Sequence, residues 1–95
     1  MTLSSTELEA IDIAGLNPDD GEYSEPYFVI ELFDYDTFNN VYNRLEKNIE
    51  FERDSDETSL NDESAHITYV FKDLLVELVA IFDSDNYSFN LYKED

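Results

Sequence analysis

The stretch from Glu50 to Glu63 reads E-F-E-R-D-S-D-E-T-S-L-N-D-E and sets Glu50, Glu52, Asp54, Asp56, Glu57, Asp62 and Glu63 against a single cation, Arg53. A fold containing this stretch has to leave the carboxylates in water, because an unpaired charge is costly to bury. Its first part alternates, with Ile49 and Phe51 as the apolar residues and Glu50, Glu52, Asp54 and Asp56 as the acids. An extended backbone would therefore line carboxylates along one edge at steps of about 6.5–7 Å. DNA carries one charge per about 3.4 Å of each strand, so paired rows of such acids approach the charge spacing of a duplex.

Composition makes this a folded chain. Its 95 residues suit one domain spanning residues 1–95, and 42% apolar residues with seven Tyr and seven Phe separate it from disordered acidic tails, which are poor in aromatics. Twenty-four acids against five Lys and Arg leave a formal charge of −19. A globule of this length has a radius of gyration of about 12 Å and a diameter of roughly 32 Å. The same length of B-DNA carries on the order of 19 phosphates. Acids recur at i, i+2 in Glu7/Glu9, Asp20/Glu22, Asp34/Asp36 and Asp83/Asp85 as well as in the central stretch. So many like charges oppose folding through self-repulsion, which argues for a use beyond solubility.

The absence of cysteine removes disulfides and thiolate metal sites together. No apolar run reaches the roughly 18–20 residues of a membrane span, and Met1 opens a polar segment unlike a signal peptide, so a cytoplasmic setting is expected. Such a surface repels nucleic acid and anionic lipid and attracts basic proteins.

Along the chain, Ser4-x-x-Glu7 and Thr6-x-x-Glu9 both fit a capping box, and Leu8 with Ile11 predicts the inner stripe of a short helix ending near Gly15; an edge strand from Glu7 to Ala14 is the alternative. Asn17-Pro18-Asp19-Asp20-Gly21 is a turn signal, and the polar run to Pro26 reads as loop. Tyr27 to Tyr35 reads as a central strand covered on much of both faces, with Phe28, Ile30 and Leu32 on one side and Tyr27, Val29, Glu31 and Phe33 on the other. Asp36 or Thr37 then caps a helix whose Phe38, Val41, Tyr42, Leu45 and Ile49 form one stripe.

The period changes to two for Glu50 to Arg53, and an acidic loop from Asp54 to Ser64 comes next. From Ala65 the pattern suits an antiparallel meander, with Ile67, Tyr69 and Phe71 inward and His66, Thr68 and Lys72 outward. Leu74 to Phe82 is almost wholly apolar, and Val76, Val79 and Ile81 favour strand over helix. After a turn at Asp83-Ser84-Asp85-Asn86, Tyr87, Phe89 and Leu91 alternate in a final strand. The class is α+β: an antiparallel sheet of about four to five strands with one main helix on one face and a short N-terminal helix. Its predicted core is Phe28, Ile30, Leu32, Leu45, Ile67 and Phe89.

Chemical motifs are weak. Asp83, Asp85, Tyr87, Phe89 and Glu94 have the spacing of a calcium loop, but Ser88 stands where glycine is needed. Asp54, Asp56 and Thr58 begin a similar match that fails at Ser59 and Ala65. His66 is the only histidine, and no nucleophile–base pair, phosphate-cradling loop or metal-ligand spacing accompanies it. No enzyme, metal or cofactor is expected. The candidate partner-binding residues are the seven acids named first together with Asp34, Asp36, Asp83 and Asp85.

In size, charge, absence of cysteine and aromatic content the chain resembles the small acidic DNA-mimic proteins of phages and mobile elements, such as uracil-DNA glycosylase inhibitors, anti-restriction proteins and inhibitors of nucleoid proteins. The resemblance rests on character and on no shared motif. It implies a stoichiometric inhibitor of a basic host DNA-binding protein, either a histone-like nucleoid protein or a defence nuclease, acting in the host cytoplasm. A homodimer is compatible with it. The alternative is an antitoxin or immunity protein that neutralises one basic toxin nuclease.

Overall fold

A computed structural model describes residues 3–24, 27–54, 59–72 and 74–92. The chain forms α1 (Ser5–Ile13), a 3-10 turn (Pro18–Asp20), β1 (Gly21–Ser24), β2 (Tyr27–Leu32), α2 (Tyr35–Lys47), β3 (Phe51–Arg53), β4 (Ser59–Leu60), β5 (Ser64–Phe71), β6 (Leu74–Ile81) and β7 (Asn86–Tyr92). All strand pairs are antiparallel. Six strands run in the order β1-β2-β7-β6-β5-β3, and two-residue β4 pairs with β5 beside this path. The α+β class holds, with more strands than the four to five expected.

The added strands are short. Gly21–Ser24, read as loop, pairs with β2 in a register from Gly21↔Ile30 to Ser24↔Tyr27. Ser59–Leu60, inside the predicted acidic loop, pairs with the start of β5 while β3 pairs with its end. Such pieces have too few residues to show an alternation, so only the neighbouring strand reveals them.

Alternation correctly sorts the inner face of β2, β5 and β7, and the structure adds that of β6. Phe28, Ile30 and Leu32 of β2, Ile67, Tyr69 and Phe71 of β5, Leu74, Val76, Leu78 and Ala80 of β6, and Tyr87, Phe89 and Leu91 of β7 are buried. They join Ala10, Ile11 and Ala14 from the α1 end and Phe38, Val41 and Leu45 of α2 in one core. All six predicted core residues belong to it. Both helices thus cover the same face of the sheet.

Among the described residues the opposite face has no helix, and three expectations change with it. β2 lies second from an edge rather than centrally, and its second face is only half covered: Tyr27 and Val29 are half-buried and Glu31 is exposed. Phe33, just past the strand, is 96% exposed. Leu74–Ile81 is a strand buried on alternate residues only, ending in Ile81 at 45% exposure. Thr68 points to this outer face yet is buried, because it sits mid-sheet opposite half-buried Glu77, and its carbonyl takes the Asp54 N–H at 2.8 Å.

Both helices start and stop by local rules, with shifts from the expected residues. The Ser4 hydroxyl accepts from Glu7 N–H (3.2 Å) and the Glu7 carboxylate from Ser4 N–H (2.9 Å), the predicted capping box. Glu7 is buried with Ala10 and Ile11, whereas Leu8, assigned to the inner stripe, is 43% exposed. Gly15 ends the first helical segment at φ +76°, in the left-handed region that suits glycine. In α2 the cap is Asp34, not Asp36 or Thr37. The helix stops at Lys47, so Ile49 leaves the stripe and stands 95% exposed. No described helix is long and apolar enough to cross a membrane.

Candidate partner interface

In an antiparallel sheet, the C-terminal ends of some strands meet the N-terminal ends of others. Here Leu32 pairs with Tyr87, Ile81 with Asn86, and Ser64 with Ile81. The exit of β2, the entry of β5, the exit of β6 and the entry of β7 therefore share one end. This end collects Asp34, Asp36, Asp62, Glu63, Asp83 and Asp85, candidates scattered over three loops of the sequence. The Phe82 N–H bonds to the Glu63 carbonyl at 3.0 Å and ties two of those loops together. Asn61 closes its own turn by accepting from the Glu63 and Ser64 amides, both at 2.8 Å.

Asp34 has extended backbone, and its Oδ1 accepts from both the Thr37 N–H (2.9 Å) and the Thr37 hydroxyl (2.8 Å). These two bonds, the amide first, hold its carboxyl below the ordinary aspartate range. Asp36 lies in the first turn of α2, where the helix dipole favours an anion. Tyr35 is fixed by rings around it: Phe38 at 6.1 Å, and Phe82 and Tyr87 each at 6.3 Å. Beyond the 3-10 turn Phe82–Ser84, Asp85 takes φ +52°, and its Oδ1 accepts from the Tyr87 hydroxyl at 3.4 Å. Burial raises the pKa of that hydroxyl first, and the charge of Asp85 adds to it.

Phe33, Asp34, Tyr35, Asp36 and Asp85 line a groove of about 350 Å³. A second groove, of about 520 Å³, meets Phe33 and is lined also by Leu16, Asp20, Glu31 and Thr37. Phe33 is thus a ridge between two depressions.

Glu50 and Glu52 lie at the other end of the sheet. β3 pairs Phe51 with Phe71 and Arg53 with Tyr69, which brings the two glutamates beside Ile49, Val70 and Lys72. β5 is eight residues long, so the two ends stand on the order of 25 Å apart. Glu50 belongs to the turn before β3, where its N–H donates to Asn48 Oδ1 at 2.9 Å. Only Glu52 of the predicted row lies within the strand; Asp54 comes just after it, and Asp56 and Glu57 fall outside the described residues. The expected straight edge of carboxylates is therefore divided, with Glu50 in a turn, Glu52 in a three-residue strand and Asp54 beyond its end.

Among the described residues, two basic side chains and the one histidine face carboxylates. Arg53 faces Glu46 at 3.8 Å, Lys72 donates to Glu9 at 3.0 Å, and His66 faces Glu77 at 3.7 Å on the outer sheet face. Arg44 and Lys47 occupy the last turn of α2, where the helix dipole favours them. Among the described residues, no group of three or more His, Cys, Asp or Glu is placed to hold a metal ion.

Sequence reading placed Phe33 and Ile49 in apolar rows and missed their exposure. One local signal existed for Phe33. It directly precedes the Asp34 cap, the position from which a hydrophobic staple would reach Phe38, yet the ring stays in water. Comparison with protein-family models, with curated proteins and with solved structures finds no match.

Proposed function

We propose that the chain is an acidic inhibitor that occupies the DNA-binding surface of a basic bacterial protein, a histone-like nucleoid protein or a defence nuclease, and blocks its access to DNA. The observation that carries this reading is the gathering of Asp34, Asp36, Asp62, Glu63, Asp83 and Asp85 at one end of the sheet, in three loops and the first turn of α2, none of which contains a Lys or Arg. Five cations could neutralise at most five of the 24 acids, which leaves the formal −19. The protein measures 35 × 25 × 22 Å with a radius of gyration of 12.3 Å, so its charge per length is near that of a duplex. Such a field speeds the encounter with a cationic groove and competes with phosphate for the same side chains.

The test is displacement of a labelled duplex from a histone-like nucleoid protein. The wild-type chain should release the DNA. A variant with Asp36, Asp62, Asp83 and Asp85 changed to Asn should release several-fold less, while changing the exposed acids Glu9, Asp12, Asp19 and Glu22 to Gln or Asn should matter little. If wild-type protein at excess leaves the duplex bound, and fails likewise with a DNA-bound nuclease, the inhibitor reading is wrong. Equal loss in both variants would reduce it to diffuse charge.

A second reading, an immunity protein or antitoxin against one basic toxin, is favoured by the exposed ring of Phe33. Apolar anchors of this kind confer dependence on a few contacts.

A further inference from the structure

We propose that the grooves beside Phe33 form a docking surface for arginine side chains of the basic partner, with the Phe33 ring as its anchor. This rests on the reading of a cationic partner and names the part of this protein that would meet it. Phe33 is 96% exposed and lies between two grooves, neither lined by a Lys, Arg or His among the described residues. The comparable residue at the other end, Ile49, is 95% exposed, but it is aliphatic and its groove contains Lys72. Charge complementarity therefore favours the Phe33 end for a cation.

The lining distinguishes between cations. Phe33 and Tyr35 offer aromatic surface, and Asp34, Asp36 and Asp85 offer carboxylates around it. A guanidinium can stack on a ring while its fork of donors pairs with a carboxylate, whereas an ammonium is a compact and strongly hydrated point charge. Both Thr37 donors go to Oδ1 of Asp34, and Oδ2 has no protein partner among the described residues. The same two bonds keep Asp34 ionised to lower pH than an ordinary aspartate. Tyr35 is already positioned by Phe38, Phe82 and Tyr87, so one wall of the groove is formed before anything binds.

The experiment titrates deca-arginine and deca-lysine peptides into the full chain at physiological salt, by calorimetry, with sedimentation velocity alongside. Deca-arginine should bind roughly two- to fivefold tighter than deca-lysine, the factor a stacked guanidinium adds at an exposed site. Phe33→Ala should abolish most of that preference, and Ile49→Ala should leave it intact. Asp36→Asn combined with Asp85→Asn should weaken both peptides, and Asn suits the left-handed backbone at position 85. Thermal melts of each variant verify that the fold persists. Equal affinity of the two peptides for the wild type, or equal effects of Phe33→Ala and Ile49→Ala, would overturn the arginine site. If charge-neutralised variants still failed to release DNA, the inhibitor reading would stand without it. A wild-type dimer that Phe33→Ala converts to monomer would overturn the proposal in favour of a second copy of this chain.

Discussion

The hydroxyl of Tyr69, whose side chain is buried at 0% exposure in β5, donates a 2.7 Å hydrogen bond to Oε2 of Glu46 on α2, the oxygen that faces Arg53 at 3.8 Å. Core, helix and edge strand meet at this one carboxylate. Burial and the Glu46 hydrogen bond both push the Tyr69 pKa up. A raised folded pKa gives stability that is complete below the unfolded value, about 10, and is lost as pH rises above it. Tyr69→Phe should therefore flatten the alkaline limb of the stability profile above about pH 10, at a cost near neutrality of about 1 kcal/mol for the lost bond. Urea melts of both proteins across that range measure it. Parallel alkaline limbs would remove Tyr69 as the cause.

Asp34 should behave in the opposite sense. Its folded pKa lies below the unfolded one, so its contribution is present above about pH 3.9 and disappears as pH falls through the folded value. Asp34→Ala should lower the melting temperature at pH 7, and Asp34→Ser should restore most of it because serine also caps. Once Asp34 is protonated in the folded protein, the alanine variant and the wild type should converge. A gap that persists in acid would assign the loss to packing.

Gly21 is limited by space. Its φ of −101° suits any residue, but an added Cβ would lie 2.4 Å from Phe28 Cζ and 2.9 Å from Ile30 Cγ1. Gly21→Ala should destabilise the fold by about 1–3 kcal/mol through overpacking, and Gly21→Ala with Phe28→Leu should recover part of this. Denaturant midpoints of the single and double variants decide the point.

Salt should act on folding and on association in opposite directions. Raising ionic strength from about 0.1 M to about 1 M shortens the screening length from about 10 Å to about 3 Å. Self-repulsion within a −19 chain then weakens, and the melting temperature should rise by several degrees. The on-rate for a basic partner should fall steeply over the same range while the off-rate changes less. A melting temperature insensitive to salt would mean that the acids are too far apart to repel one another.

Much of the fold was legible because its signals are local. The box of Ser4 and Glu7, the stripe of Phe38, Val41 and Leu45, and the alternations through Ile67–Phe71 and Tyr87–Leu91 each depend on a few neighbouring residues, and all appear in the structure. The strand reading of Leu74–Phe82 agrees with the structure as far as Ile81, and Phe82 begins a 3-10 turn. The two-residue β4 was read as loop, since so short a strand exists only through its partner.

The candidate interface was legible only as a set of acids. Sequence alone determined the charge and the inward residues of β2, β5 and β7, since these depend on residue identity and on the period of a strand. The tertiary structure decided which turns meet. Antiparallel pairing brought residues 34, 62 and 85 to one end of the sheet and sent Glu50 and Glu52 to the other. It also decided that Glu7 rather than Leu8 is buried, and that Phe33 and Ile49 remain in water at the two ends of α2. Burial and charge density are sums over neighbours distant in the chain, and the order of strands in the sheet determines which neighbours those are.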